Sequence, residues 1–345
     1  MDVKPQTPSE PTPSAPVPLE VPRPGETDKK NLPFSSWWPL LIGALVGIAL
    51  RLVYSGKPGM PYAPMDSGFI YFVPIAVGAI TIYVAESERR RSWGYYLWAP
   101  IVANSLFVIG TLAIMVEGLI CAIIVVPLFG MLGAVGGLVM GALCRVTKWR
   151  KGAMYSFGTL PLLLGALPGP DVDRQRVSAI ERSIVVEAPA ERVWEELLST
   201  RDIRPDELGH AWMYRIGVPL PLAGVTERTA TGMVRKVAMG KSIHFDQVAT
   251  EWQNYRYVRW TYRFAQDSFP PQALDDHVVI GGRYFDLLDT SYALTPISAK
   301  ATMLTVRMQY RVSTGFNWYA DGVAKLLFGN FEDVILEFYR RRAMQ

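Results

Sequence analysis

A chain of 345 residues is long enough for two domains, and half of its residues are hydrophobic, a high share for a soluble protein. The net charge of +4 is small, and its basic clusters lie beside apolar runs, which argues for membrane topology signals and against nucleic acid as a partner. Both cysteines, Cys121 and Cys144, fall in apolar segments, so the C-terminal half has no disulfide and no thiol nucleophile.

Residues 1–36 read as a disordered tail. Nine prolines are interleaved with Ser, Thr, Glu and Lys up to residue 33, with almost no large apolar side chains to build a core, and no cleavable signal peptide opens the chain. A transmembrane region over 37–168 follows, with apolar segments at 38–54, 67–85, 95–116, 119–143 and 152–167. The turn at Glu117-Gly118 folds the third and fourth into an antiparallel hairpin. The fifth is short and interrupted by Pro161, so the expectation is a bundle of four to five spans. Arg51 lies near a span end, where it can snorkel.

Lys29 and Lys30, Arg89 to Arg91, and the group Arg145, Lys148, Arg150 and Lys151 occupy alternate loops. The positive-inside rule therefore places them and the N-terminus in the cytoplasm. Five crossings put the C-terminal domain outside the cytoplasm and four put it inside; five is the expectation. Gly43 and Gly47, and then Gly133, Gly137 and Gly141, repeat at four-residue spacing. Such an edge serves either packing within the bundle or a homo-oligomer seam. Asn104 and Glu117 are the conspicuous polar groups of the membrane half, and Glu117 sits at a turn that water can reach.

Residues 169–181 read as a charged linker, and 182–345 as a soluble domain. Ile184, Val185 and Val186 form a short strand that Pro189 stops. Ala190, Val193, Trp194, Leu197 and Leu198 then share one helical face, with Trp194 as its packing anchor. A second short helix is expected at 205–208, and 217–224 reads as an apolar loop bounded by glycines. Strands follow at 232–239 and 242–252, joined by a two-residue turn at Gly240-Lys241, and then at 256–264, 283–294 and 301–312. The last alternates Leu304, Val306, Met308 and Tyr310 against Thr305, Arg307 and Gln309, as in an antiparallel sheet with one polar face. A closing helix over 318–342 carries an apolar stripe of Val323, Leu326, Leu327, Phe331, Val334, Ile335 and Phe338. Its wet side is marked by Asp321, Lys325, Glu332, Asp333, Glu337 and Arg341.

The run Ile-Val-Val-Glu-Ala-Pro-Ala-Glu-Arg-Val-Trp from Ile184 to Trp194, with Gly232-Met-Val-Arg235, Glu251-Trp252 and the closing helix, resembles the SRPBCC/START-like helix-grip superfamily of polyketide cyclases and lipid-transfer domains. The membrane half, with Glu117 to Cys121 followed by Pro127, resembles membrane-anchored bacterial members. The resemblance implies an α+β domain in which a curved antiparallel sheet wraps a long C-terminal helix around an apolar cavity. It implies no single activity, because members bind, carry, sense or transform ligands.

The residues themselves offer little chemistry. His210, His244 and His277 are scattered without a partner at metal-ligand spacing, and neither a Gly-rich phosphate loop nor a Gly-x-Ser-x-Gly elbow occurs, so no metal and no cofactor is expected. Asp275-Asp276 beside His277 can be drawn as an acid-base cluster, but neighbours in a polar loop usually point apart, and no catalytic residue is assigned. The candidate ligand-binding set is Trp212, Tyr214, Arg235, Trp260, Tyr262, Tyr284, Tyr292, Met308, Tyr310, Phe331 and Ile335, an aromatic lining with one cation. Arg235, His244 and Glu251 lie on strands that can reach a cavity or its rim. The expected partners are a membrane and a hydrophobic small molecule or lipid. The apolar stretches 218–222 and 269–271 would gate the mouth or touch lipid. The alternatives are a cyclase-like enzyme using the same cavity and an assembly module with a filled core.

Overall fold

The computed structural model describes residues 37–57, 60–147, 154–166, 175–230, 232–271, 273–275 and 277–345. The tail read over 1–36 and most of the linker therefore lie outside the described residues. The membrane half contains α1 (Trp38–Val53), α2 (Gly68–Glu88, opening with a π-helical turn), α3 (Trp93–Ala113), α4 (Leu119–Val146) and α5 (Met154–Gly165). Among the described residues three helices, α2, α3 and α4, with 21, 21 and 28 residues, are long and apolar enough to cross a membrane, against the expectation of four to five. At ~1.5 Å of rise per residue, the 16 residues of α1 and the 12 of α5 fall short of a ~30 Å hydrocarbon core.

Missing side chains set the packing of this bundle. A Cβ placed on Gly78 of α2 would lie 2.0 Å from the carbonyl oxygen of Gly133 in α4, and one on Gly136 would lie 2.1 Å from that of Ile75. Gly133 makes room for the Asn104 amide, Gly137 for Pro100, and Gly141 for the Tyr96 ring. The glycine edge is thus buried within the chain, against α2 and α3. Asn104 donates from Nδ2 to the carbonyl oxygens of Pro100 (3.0 Å) and Pro74 (3.3 Å). Arg51 does not snorkel: it is buried, its Nε lies 2.5 Å from Glu117 Oε1, and it donates to the Tyr54 carbonyl. Glu117 is accordingly the counterion of Arg51, in a buried pair whose two charges compensate each other.

The C-terminal half comprises β1 (Arg176–Val186), α6 (Ala190–Leu198), β2 (Ser199–Thr200), α7 (Pro205–Leu208), α8 (Trp212–Arg215), β3 (Pro221–Thr229), β4 (Gly232–Met239), β5 (His244–Gln253), β6 (Tyr257–Arg263), β7 (Phe285–Ser298), β8 (Ala301–Val312) and α9 (Asn317–Ala343). All strands pair antiparallel in one sheet of order β1-β8-β7-β6-β5-β4-β3-β2. Bulges between Pro221 and Ala223, Ala249 and Glu251, and Leu287 and Asp289 bend it. Leu304, Val306, Met308 and Tyr310 point inward from β8 onto a core that includes Trp194, Trp260, Phe338 and Tyr339.

Several expectations shift. The supposed linker is already strand from Arg176, and the second half of the supposed 217–224 loop opens β3. The β4–β5 connection is a three-residue 3-10 turn, Gly240–Ser242, with Lys241 and Ser242 both at positive φ. On α9, Leu326 is exposed, whereas Asp321 and Glu332, read as wet, are buried. The helix is covered on more than its apolar stripe, because β1 and β8 also pack along it. There Asp321 accepts from Tyr310 Oη (3.0 Å) and pairs with Arg176 and Lys325.

The two halves dock at the α3–α4 turn. Cys121 N–H, in the first turn of α4, donates to Asp275 Oδ2 at 2.9 Å, so a carboxylate from a distant loop acts as the N-cap that Gly118 lacks. Glycine is required at 118 because a Cβ there would overlap Asp275 Oδ1 at 1.5 Å. Trp318 Nε1 donates to Tyr71 Oη (2.8 Å), Tyr319 Oη donates to the Ile124 carbonyl (2.7 Å), and Phe316 is buried in the core of the bundle. Asp275 is therefore a docking residue, which removes it from the acid-base cluster drawn with His277. Asp275→Ala is expected to cost about 1 kcal/mol, the usual loss of a cap, and to raise amide exchange at Ile120, Cys121 and Ala122. Unchanged exchange there would rule out the capping role.

Candidate functional site

Between the inner face of the sheet and α9 lies a cavity of about 160 Å³. Strand period places its lining: Met233, Arg235, Val237 and Met239 share one face of β4, and Lys236 takes the other. Across from Arg235 stand Gln247 of β5, Tyr262 of β6, Thr290 and Tyr292 of β7, and Met308 of β8. Helix α9 closes the space with Phe331, Ile335 and Tyr339, which follow one another at four-residue spacing.

Arg235 is the only charged side chain among the described lining residues. It is 7% exposed; its Nη2 donates to Tyr339 Oη at 3.1 Å and its Nε has no partner. No described carboxylate pairs with it. Gly224 of β3 provides the room, since a Cβ there would lie 2.6 Å from Arg235 Nε. Burial opposes this charge, while the phenols of Tyr339 and Tyr292 favour it and carry its pKa above the ordinary value. The unpaired Oε1 of Gln247 is another unfilled polar site in the wall.

The tyrosines around it are neutral hydroxyl groups. Burial pushes Tyr262 up to about 12, although its contacts with Thr290 and Gln247 work the other way; the Tyr262 and Thr290 hydroxyls are 2.6 Å apart. Burial also raises Tyr214 and Tyr292 above the ordinary phenol value. The lining thus combines a desolvated cation, neutral hydroxyls and apolar walls. It can orient an acceptor or anionic group, and among its described residues it holds no carboxylate, imidazole or amine to serve as a general base.

Seven of the sequence-derived candidates, Tyr214, Arg235, Tyr262, Tyr292, Met308, Phe331 and Ile335, line this cavity. Trp260 and Tyr310 are packed in the core instead, the first with no acceptor for its indole N–H and the second donating to Asp321. Trp212 is half exposed on α8, where its backbone N–H donates to Asn330. His244 and Glu251 are exposed and lie beside Asp267 and Arg259. Sequence reading missed Tyr339, Gln247, Thr290 and Gly224. The spacing Phe331, Ile335, Tyr339 was the available signal for the first. Among the described residues no three His, Cys, Asp or Glu side chains group as a metal site.

Tyr284 lines a second cavity, of about 200 Å³, between the two halves. Ile120, Cys121, Ile124 and Val125 of α4 form one wall of it, and Tyr284, Val312, Ala320 and Ala324 belong to the other. Met213, Val218, Ile280 and Phe328 line both cavities, so the two adjoin. Val218 is thus a wall residue, while Phe269 of the other supposed gate packs on Phe264 in a satellite cluster. Each cavity alone lies below the ~300 Å³ at which pockets for drug-sized ligands begin, although ~150 Å³ is enough for a benzene-sized guest.

In the C-terminal half the antiparallel sheet curves around α9, the helix-grip arrangement expected from the sequence. No family model and no curated protein sequence matches the chain. Among solved structures it is similar to the ZhuI aromatase/cyclase from Streptomyces sp. R1128, at 14% identity and a TM-score of 0.32 over 49% of this chain and 94% of that one. It is also similar to a START superfamily protein from Mycobacterium smegmatis, at 13% identity and 0.34 over 48% and 97%. A third is norcoclaurine synthase from Thalictrum flavum, at 12% and 0.25 over 47% and 96%. Likenesses this distant carry no argument about activity.

Proposed function

We propose that this is a membrane protein whose helix-grip domain binds, and passes to or from the bilayer, a hydrophobic small molecule or lipid bearing an acidic or strong acceptor group. The observation that carries the reading is Arg235, a buried guanidinium with an unpartnered Nε and no described carboxylate beside it, in an otherwise apolar cavity. Burial opposes this cation and only neutral hydroxyls offset it among the described lining residues, so a bound anion would supply the counter-charge they lack. Apolar walls contribute ~25 cal/mol per Å² of ligand area buried.

The lining supports binding over cyclase-like turnover, because its described residues include no carboxylate, imidazole or amine and its tyrosines are neutral. The cavity itself argues against an assembly module with a filled core. The domain docks at the end of the bundle that carries Met65, Tyr71 and Gly118, whereas Arg89, Arg90, Arg91 and Arg145 mark the other end. We place the domain outside the cytoplasm as part of this proposal, taking the basic end as cytoplasmic and α5, although short of a full span, as the segment that returns the chain to the docking end, where the Gly165 carbonyl accepts from Tyr62 N–H.

Extraction of the purified, nanodisc-held full chain with organic solvent, followed by mass spectrometry, is expected to release about one acidic amphiphile per chain. A ligand-free protein that also fails to take up cis-parinaric acid would refute the proposal.

A further inference from the structure

Resting on that reading, we infer that the cavity between α4 and the grip domain is the second chamber of a single site, and that the ligand is a single-chain amphiphile with an oxyanion head. The head pairs with Arg235 and the chain runs past Met213 and Phe328 to end against the membrane helix.

Three observations carry this. The chambers share Met213, Val218, Ile280 and Phe328 as walls, and a methionine and a phenylalanine can clear a passage by changing rotamer without backbone movement. Neither chamber reaches the ~300 Å³ of an ordinary ligand site, but the about 160 and about 200 Å³ taken together pass it. Their polarity also differs. The grip cavity holds Arg235, Gln247, Thr290 and four tyrosines, while the junction cavity is lined mostly by hydrocarbon, with His277, Tyr284 and Thr314 the polar exceptions among its described residues. A head group is therefore satisfied only at the far end from α4, and an apolar tail is satisfied next to it.

The arrangement fits an extended flexible chain better than a rigid fused-ring acid, which cannot thread a partition of side chains. Because α4 forms the wall at a membrane boundary, the tail end is also the end nearest the lipid. Asp275 and Tyr319, which fasten the domain onto α4, keep this chamber assembled.

The test uses the full chain in nanodiscs, with hexadecanoate and octanoate as probes. Ala320→Phe fills the junction chamber without touching Arg235. It is expected to weaken hexadecanoate at least tenfold while changing octanoate less than twofold. In the unmodified chain, hexadecanoic acid with a diazirine at its terminal carbon is expected to label the stretch from Ile120 to Val125, a readout that does not depend on the variant folding. Equal losses for both acids in a folded variant, or terminal-carbon label confined to the sheet and α9, would overturn the two-chamber site while leaving ligand binding intact. Failure of both acids to bind the unmodified chain would overturn the underlying proposal as well.

Discussion

Arg235→Met is expected to leave the fold as stable as before, or more stable, while affinity for a carboxylate amphiphile falls ten- to a hundredfold. Replacing a buried, poorly compensated charge with an apolar side chain of similar length is often neutral, or stabilising by ~1–4 kcal/mol. A hydrogen bond to a charged group contributes ~1.5–3 kcal/mol, and each ~1.4 kcal/mol is a factor of ten in affinity. The opposite signs are the diagnostic. A structural arginine would lower the unfolding midpoint on removal and leave binding unchanged. Arg235→Lys should rescue little, because the ammonium is a strongly hydrated point charge that cannot present the guanidinium fork, and Gly224 is shaped for that fork. Tryptophan fluorescence on heating, together with titration of the acid, measures both quantities on one sample.

The second large effect is expected at Glu332. Its side chain is fully buried, and neither oxygen makes a hydrogen bond of good geometry to the described residues; burial pushes its pKa up to about 8, with Arg182 and the nearby Met308 backbone N–H acting in the opposite direction and Asp333 and Glu181 adding to the rise. The native acid is thus neutral where the unfolded one is charged. Below the ordinary carboxyl range both states are protonated and Glu332 contributes no pH dependence. As pH rises from about 4.5 to about 8 only the unfolded chain releases the proton, so stability declines, at up to ~1.4 kcal/mol per unit, and then levels off. Glu332→Gln should abolish that decline and make the domain more stable than the parent by roughly 5 kcal/mol at pH 9, with little difference at pH 4. Parallel stability curves for the two proteins from pH 4 to 9 would contradict the assignment.

Glu332 also shows where sequence reading stops. A carboxylate flanked by Asp333 on an amphipathic helix looks solvated, and only the packing of β1 and β8 along α9 buries it. Local signals were reliable where one face decides the structure. The strand Ala301–Val312 and the short helix Pro205–Leu208 fall at the expected residues, α9 at nearly so, and Trp194 is the packing anchor its helical position implies. The pairing of Asp275 with Cys121 joins residues 154 positions apart and leaves no local pattern. Gly224, read as a loop boundary, matters because Arg235 lies beside it across β3 and β4. Hydropathy reported five apolar segments correctly, but composition does not fix how many residues remain helical, which is why α1 and α5 stop short of a full span.

The candidate site was legible to the extent that it depends on strand alternation. Arg235, Tyr262, Tyr292 and Met308 face the cavity by period alone. Trp260 and Tyr310 obey the same period and yet are packed, because the sheet curves and its middle closes on α6 and α9 before a cavity can open. Aromatic content did not distinguish lining from core, and unmet polar groups alone do not either, since Trp260 and Glu332 carry them outside the lining.

Titration of hexadecanoic acid and of hexadecan-1-ol into the nanodisc-held full chain, with empty nanodiscs as the reference, tests the central claim most directly. Saturable one-to-one binding of the acid, at least tenfold tighter than that of the alcohol, is the predicted result. Uptake of either compound that matches empty nanodiscs, or equal binding of the acid and the alcohol, would contradict a site organised around Arg235.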